Sequence, residues 1–316
     1  MRCRSLWSAL VVSVLAVGAL PALAQISLVK LPPPPNVQAT TGSFTVPWEG
    51  PPADGVDQRY LSVAWFYSTK PDGSDKNRIT TYLYDNFVNY KVTWQAAGFA
   101  FDWDLKDLRK RNGHRFLAGP AGASPLVYSQ ELPLDSVVGL KVRPAIGKNS
   151  WGLQLRVQPQ TGASLLFQND GNRLNISEGG NQLVALTVPG ITPGERKWYW
   201  YEIGLKARKS KDVEIRIRIY NEERTKMLFS HCNSYKLMTP ALCKAGGIAL
   251  MGPADFEELY VDPWSARWGS DAQNTVKWDT TQVENGDYYL IAEVSDGRDI
   301  PQLKATSYRI EVRNRN

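Results

Sequence analysis

The stretch WDTTQVENGDYYLIAEVSDG, Trp278–Gly297, decides the fold. Asn285-Gly286 is a turn, Tyr288–Val294 reads as a strand, and Ser295-Asp296-Gly297 is a second turn with one more strand to follow. These are the closing elements of a small β-sandwich. Directly upstream, where its opening strands belong, stands only the polar SARWGSDAQN (Ser265–Asn274).

The complement lies far earlier in the chain. GSFTVPWEGPPADGVDQRYLSVAWFYSTKPDGSDKNRI (Gly42–Ile79) supplies a strand, a Pro/Gly/Asp turn, a strand through VAWFYST and an Asp-rich loop. A domain divided in this way needs an insert whose own ends meet, and compact β-sandwiches often provide one. The expected organisation is a leader over 1–24, a proline-rich spacer over 25–41 containing LPPPPN, a discontinuous sandwich over 42–82 and 266–316, and an inserted domain over 83–265.

The closing half resembles fibronectin-III-like or immunoglobulin-like (Ig-like) modules of exported bacterial proteins. The matching residues are Trp278-Asp279-Thr280-Thr281, Asn285-Gly286, Tyr288-Tyr289, Ala292 and Ser295-Asp296-Gly297. The insert resembles a concanavalin-like or laminin-G-like jelly roll. YDNFVNYKVTWQ (Tyr84–Gln95) matches its opening, GERKWYWYEIGLKARKSKDVEIRIRIYNEERTKMLFS (Gly194–Ser230) its central hairpin, and GGIALMGPADFEELYVDPW (Gly246–Trp264) its final strands. The fold class expected is all-β, a jelly roll plus a discontinuous sandwich.

Alternation with period two phases several strands. Trp151, Leu153, Leu155 and Val157 share one face, with Gln154, Arg156 and Gln158 outside; Val213, Ile215, Ile217 and Ile219 point inward. Ile203 and Leu205 take Tyr199 and Tyr201 into the core with them. Helix signals are scarce, the best being WDLKDLRKRNG (Trp103–Gly113), which ends on glycine but has little apolar face.

The N-terminus points to export. Arg2 and Arg4 precede an apolar run from Leu6 to about Leu20, and Ala22-Leu23-Ala24 is a small-x-small cleavage site. No later segment approaches a membrane span, so no membrane insertion is expected. With the leader gone, 35 basic and 31 acidic residues leave a net charge of +4, too small and dispersed to indicate nucleic acid. The basic stretches Leu108–Arg115 and Lys206–Lys211 read as solvated loops.

Two cysteines then remain, Cys232 and Cys243. In an oxidising compartment an even pair predicts one disulfide, the alternative being two buried thiols. With one neighbouring histidine, His231, they do not make a zinc site.

The residues offer a binding surface more readily than a catalytic one. His114 and His231, the histidines of the chain, lie in no serine or cysteine elbow. Clustered acids occur at Asp102, Asp104 and Asp107 and at Asp255, Glu257 and Glu258; paired carboxylates are what a glycosidase requires. The jelly-roll resemblance implies a structural calcium ion, with Asp85, Asp255 and Asp262 as donors near the meeting ends; DGSD (Asp72–Asp75) is either a second such place or a hairpin turn.

Eleven tryptophans and 14 tyrosines supply flat faces on which sugar rings stack. The alternation puts Trp198, Trp200 and Glu202 on a polar face beside Glu214, Arg216, Arg218 and Tyr220. That face is either a glycan platform, with Trp198, Trp200, Glu202, Arg216 and Arg218 as its contacts, or a surface covered by a loop or by the other domain. The expected function is an exported non-catalytic binding or adhesion protein for a polysaccharide or surface glycan. The rivals are a polysaccharide hydrolase or lyase and a structural subunit of a surface layer or appendage, which would have other surface proteins as partners.

Overall fold

A computed structural model of the chain describes residues 31, 42–49, 62–79, 82–87, 94–96, 103, 109–111, 114–128, 130–145, 151–192, 195–208, 211–264, 274–281, 283–295 and 302–314. The expected leader, nearly all of the expected proline-rich spacer, and Asp102, Asp104 and Asp107 lie outside the described residues.

In chain order the described strands begin with β1 (Ser43–Trp48), β2 (Ser62–Ser68), β3 (Asn77–Arg78), β4 (Leu83–Asp85), β5 (Trp94–Ala96), β6 (Arg109–Arg111) and β7 (His114–Gly119). They continue through β8 (Leu126–Tyr128), β9 (Ser136–Pro144), β10 (Trp151–Val157), β11 (Leu165–Asp170), β12 (Arg173–Glu178), β13 (Asn181–Thr187), β14 (Tyr199–Ala207) and β15 (Asp212–Asn221). The last are β16 (Met227–Lys236), β17 (Gly247–Met251), β18 (Ala254–Pro263), β19 (Asn274–Asp279), β20 (Gly286–Ser295), β21 (Gln302–Ala305) and β22 (Ile310–Val312).

The middle of the chain is a jelly-roll sandwich of two antiparallel sheets. One is seven-stranded in the order β13-β12-β11-β10-β17-β8-β5; the other, eight-stranded, runs β16-β15-β14-β9-β18-β7-β6, with β4 also on β18. Their facing sides share one apolar core, and the alternation explains which residues enter it. Val213, Ile215, Ile217 and Ile219 of β15 and Tyr199, Tyr201, Ile203 and Leu205 of β14 all pack there. Trp151 of β10 meets the Tyr201 ring edge-on at 4.9 Å, and the Tyr201 hydroxyl reaches across to Asn169 Oδ1 at 3.2 Å.

The structure departs from the sequence reading at two places. Between Leu155 and Val157 the β10 register shifts, and Arg156 takes a positive φ of 54° at the irregularity. Its side chain is therefore buried, not outside: the guanidinium donates to the carbonyls of Leu242 at 2.8 Å and Leu134 at 3.1 Å. Within the helical candidate at 103–113, Arg109–Arg111 instead form β6, hairpinned onto β7.

The two ends of the chain build a second core. β1 pairs antiparallel with β19 from Ser43↔Asp279 to Trp48↔Asn274, and β2 pairs with β20 from Ser62↔Ser295 to Ser68↔Tyr289. The β1–β19 ribbon and the five-stranded sheet (β21-β20-β2-β3, with β22 on β20) enclose Trp48, Trp65, Val276, Trp278, Leu290 and Ile310. Tyr67 stacks on Trp278 at 5.1 Å, and Leu31 packs on the same cluster. Strands separated by more than two hundred residues thus share one apolar interior.

Candidate functional site

The polar side of the eight-stranded sheet is assembled as its alternation dictates, yet it is not a platform. Trp198, Trp200, Glu202, Arg216 and Arg218 are all between 0% and 7% exposed. Most of this face is occupied by its own ion pairs and by the second unit. Arg78 of β3 lies 3.3 Å over the Tyr260 ring and pairs with Asp262 at 3.6 Å. Glu202 Oε1 accepts from Arg224 Nη2 and from the Tyr260 hydroxyl, each at 2.6 Å. Trp264, where the chain leaves β18, stacks under the Arg216 guanidinium at 4.8 Å, and Arg216 also pairs with Glu214 at 2.6 Å. Trp198 is wedged between the Phe116 ring at 5.7 Å and Arg143 at 4.7 Å. A sugar ring cannot stack on aromatic faces already covered, so the glycan platform expected from sequence is replaced by a buried polar interface.

The calcium donors are not brought together. Asp85 accepts from the Phe87 amide at 2.5 Å and from Trp94 Nε1 at 2.6 Å. Asp255 is gripped by Arg143 at 2.6 Å and Arg196 at 2.9 Å, and Asp262 by Arg78. In DGSD, Asp75 caps the turn by accepting from Ser68 and Thr69, bonds that hold its carboxyl down at about 2. Among the described residues no group of three or more His, Cys, Asp or Glu side chains is arranged for a metal. These acids do not fit calcium, because their charge is spent on neighbouring guanidinium groups, amides and hydroxyls.

The expected disulfide is not formed: Cys232 and Cys243 are separate thiols. Cys232 sits opposite Arg216 on the polar side of the sheet, with its sulfur 3.9 Å from Glu214 Oε1. Cys243 belongs to the 3₁₀ turn Pro240–Cys243 and packs against the apolar core. The two thiols therefore face opposite sides of the same sheet.

Two of the clustered acids weighed for catalysis, Asp255 and Glu257, are similarly occupied. Glu257 pairs with Lys141 at 2.7 Å, and Asp255 carries its two arginines. Glutamate 293, whose burial opposes ionisation, is held below its ordinary value because Arg224, Lys76 and Arg78 outweigh that burial. Glu293 is therefore ionised at neutral pH and has no proton to deliver.

What remains open on the jelly roll is the outer face of the seven-stranded sheet. Register aligns Gln95, Val127, Ala249, Gln154, Leu166 and Ser177 in one cross-strand row. The next row along the strands holds Met251, Gly152, Gln168, Asn175 and Ala185. Gln154, Gln168, Asn175 and Ser177 are half-exposed and Gln95 is exposed. Gln154 and Asn175 give no side-chain hydrogen bond to any described residue. Gly152 and Ala249, on the same side, are buried among their neighbours. Sequence reading placed Gln154 outside; the pairing of its neighbours needed the register.

No family model and no curated protein matches this sequence. Among solved structures the chain is similar to a prokaryotic β-1,3-1,4-glucanase (lichenase) derived from a mouse hindgut metagenome, at 9% identity and a TM-score of 0.37, over 58% of this chain and 99% of that one. It is also similar to a Bacillus licheniformis β-glucanase (11% identity, TM-score 0.35, 62% and 97% covered). A carbohydrate-binding module from Bacillus subtilis is a third (12%, 0.32, 59% and 95%). Each is a likeness of shape; what those proteins bind or hydrolyse is a property of theirs.

Proposed function

We propose that the protein is an exported, non-catalytic binding protein of the cell surface or its surroundings, which takes a polysaccharide or surface glycan on the open face of its jelly roll. The observation that carries this reading is the amide-bearing face, Gln154, Gln168 and Asn175 with Ser177, all half-exposed on neighbouring strands. Each amide presents a donor and an acceptor side by side, which suits vicinal hydroxyls. Carbohydrate is also what the similar glucanase and binding-module structures are named for, at likenesses too remote to carry the reading by themselves. A hydrolase would need two free carboxyls, one kept protonated; Asp255 and Glu257 are both pinned by cations. The second unit, in this reading a fibronectin-III-like mount, presents the jelly roll.

A glycan array run on the leaderless chain, with and without calcium, tests this. At least one neutral polysaccharide should bind in both conditions, and the double variant Gln154→Ala/Asn175→Ala should weaken binding at least tenfold without changing the circular dichroism spectrum. Silence across the array in both conditions would sink the proposal.

A further inference from the structure

A cavity of about 500 Å³ opens where the five-stranded sheet meets the polar side of the eight-stranded sheet. That size is within the range of small-ligand sites, about 300–1,000 Å³. Its walls come from both units: Phe66, Lys76 and Leu303 from one, Tyr84, Trp200 and Glu258 from the other. Tyr84 and Leu303 are 46% and 48% exposed, which leaves an apolar lip above the rings of Phe66 and Trp200.

The charge of this cavity is balanced, with Lys76, Arg78 and Arg224 against Glu223, Glu258 and Glu293. Its cations are also committed. Lys76 holds Glu293 at 2.7 Å, Arg224 holds Glu202 at 2.6 Å, and Arg78 lies on Tyr260 beside Asp262. An anionic ligand would meet three carboxylates and no spare cation, while a cationic one would meet the three basic groups. Hydroxyls face no such conflict. Burial, with Glu258 nearby, pushes the Tyr84 phenol up to about 12, so it stays a hydrogen-bond donor; the exposed Glu223 carboxylate accepts.

From this arrangement we infer that the cavity is a binding site for a short neutral saccharide, separate from the amide face, with a sugar ring beside Tyr84 and its hydroxyls on the Tyr84 phenol and the Glu223 carboxylate. Because both units supply its walls, an occupant also ties the two together. The test is isothermal titration of the leaderless chain with cellobiose, maltose, lactose and sucrose, beside glucuronic acid and glucosamine as charged controls. One neutral disaccharide should bind at one equivalent, at least tenfold more weakly to Tyr84→Ala and to Leu303→Ala, and unchanged to Gln154→Ala. The inference is overturned if none of the four binds by about 10 mM, a free energy near −3 kcal/mol. It is equally overturned if a charged control binds as tightly, or if both cavity variants bind as the parent does. Loss of array binding in the Gln154→Ala/Asn175→Ala variant with disaccharide titration intact separates this site from the amide face.

Discussion

At the scale of single residues, the chemistry of the covered face is that of a buried ion network. Glu202 is fully buried and has Arg224 and the Tyr260 hydroxyl as partners, so removing either partner leaves a carboxylate without full compensation. Glu293 belongs to the same network through Arg224 and Lys76. Its folded-state pKa lies below the ordinary 4.5 of an unfolded chain, so its contribution is present above pH 4.5 and is lost as the pH falls below that value. Thermal melts from pH 7 to pH 3 should therefore show the parent losing its advantage over Glu293→Gln below about pH 4.5. Parallel melting curves across the whole range would refute this assignment. Nothing in the sequence around Glu293 marks it, since its partners are supplied by residues up to 217 positions away.

At the scale of elements, the strands that alternate cleanly were legible and those that break alternation were not. The inward set of β14 and β15 follows from period two alone, because a sheet with one apolar side admits only one phase. Arg156 escaped this logic, since a register shift at positive φ turns its side chain from the outer face into contact with two carbonyls. The cysteines illustrate the same limit. Their even count and the expected compartment suggested a bond, but the pairing of β16 with β15 sends Cys232 to the opposite side of the sheet from Cys243.

A glycine on β9 tests how closely the polar faces of neighbouring strands are fitted. A Cβ built on Gly139 would lie 1.9 Å from the Tyr260 ring, so only glycine lets β18 lay that ring across β9. Gly139→Ala should cost about 1–3 kcal/mol in denaturant unfolding, as other overpacking changes do. Most of the loss should be recovered in Gly139→Ala/Tyr260→Ala; an unaffected single variant would show that the ring has room elsewhere.

At the scale of the whole molecule, strands from the two ends of the chain close one core around the inserted jelly roll. Trp278 lies against Tyr67 and Tyr288, and β20 finds its longest pairing with β2. A fragment from Asn274 to Asn316 keeps β19 to β22 but lacks both β1 and β2, and with them the core residues Trp48, Val63 and Trp65. Expressed alone it should give a random-coil circular dichroism spectrum and rapid proteolysis, and adding residues 42–79 on a separate chain should restore order. A cooperative melt of the isolated fragment would contradict the shared core.

By itself the sequence determined the strand-rich class, the inward phase of the central strands and the complementarity of its two ends. Those properties depend on local alternation and turn residues, which act over a few positions. Only the tertiary structure decided which faces stay in contact with water. The Trp198 and Trp200 face looks outward from its own sheet, yet β3, Trp264 and a set of distant cations cover it. The plainer amide row of the opposite sheet is left open. Exposure is a property of what packs on a face from elsewhere in the chain, and alternation along one strand cannot specify it.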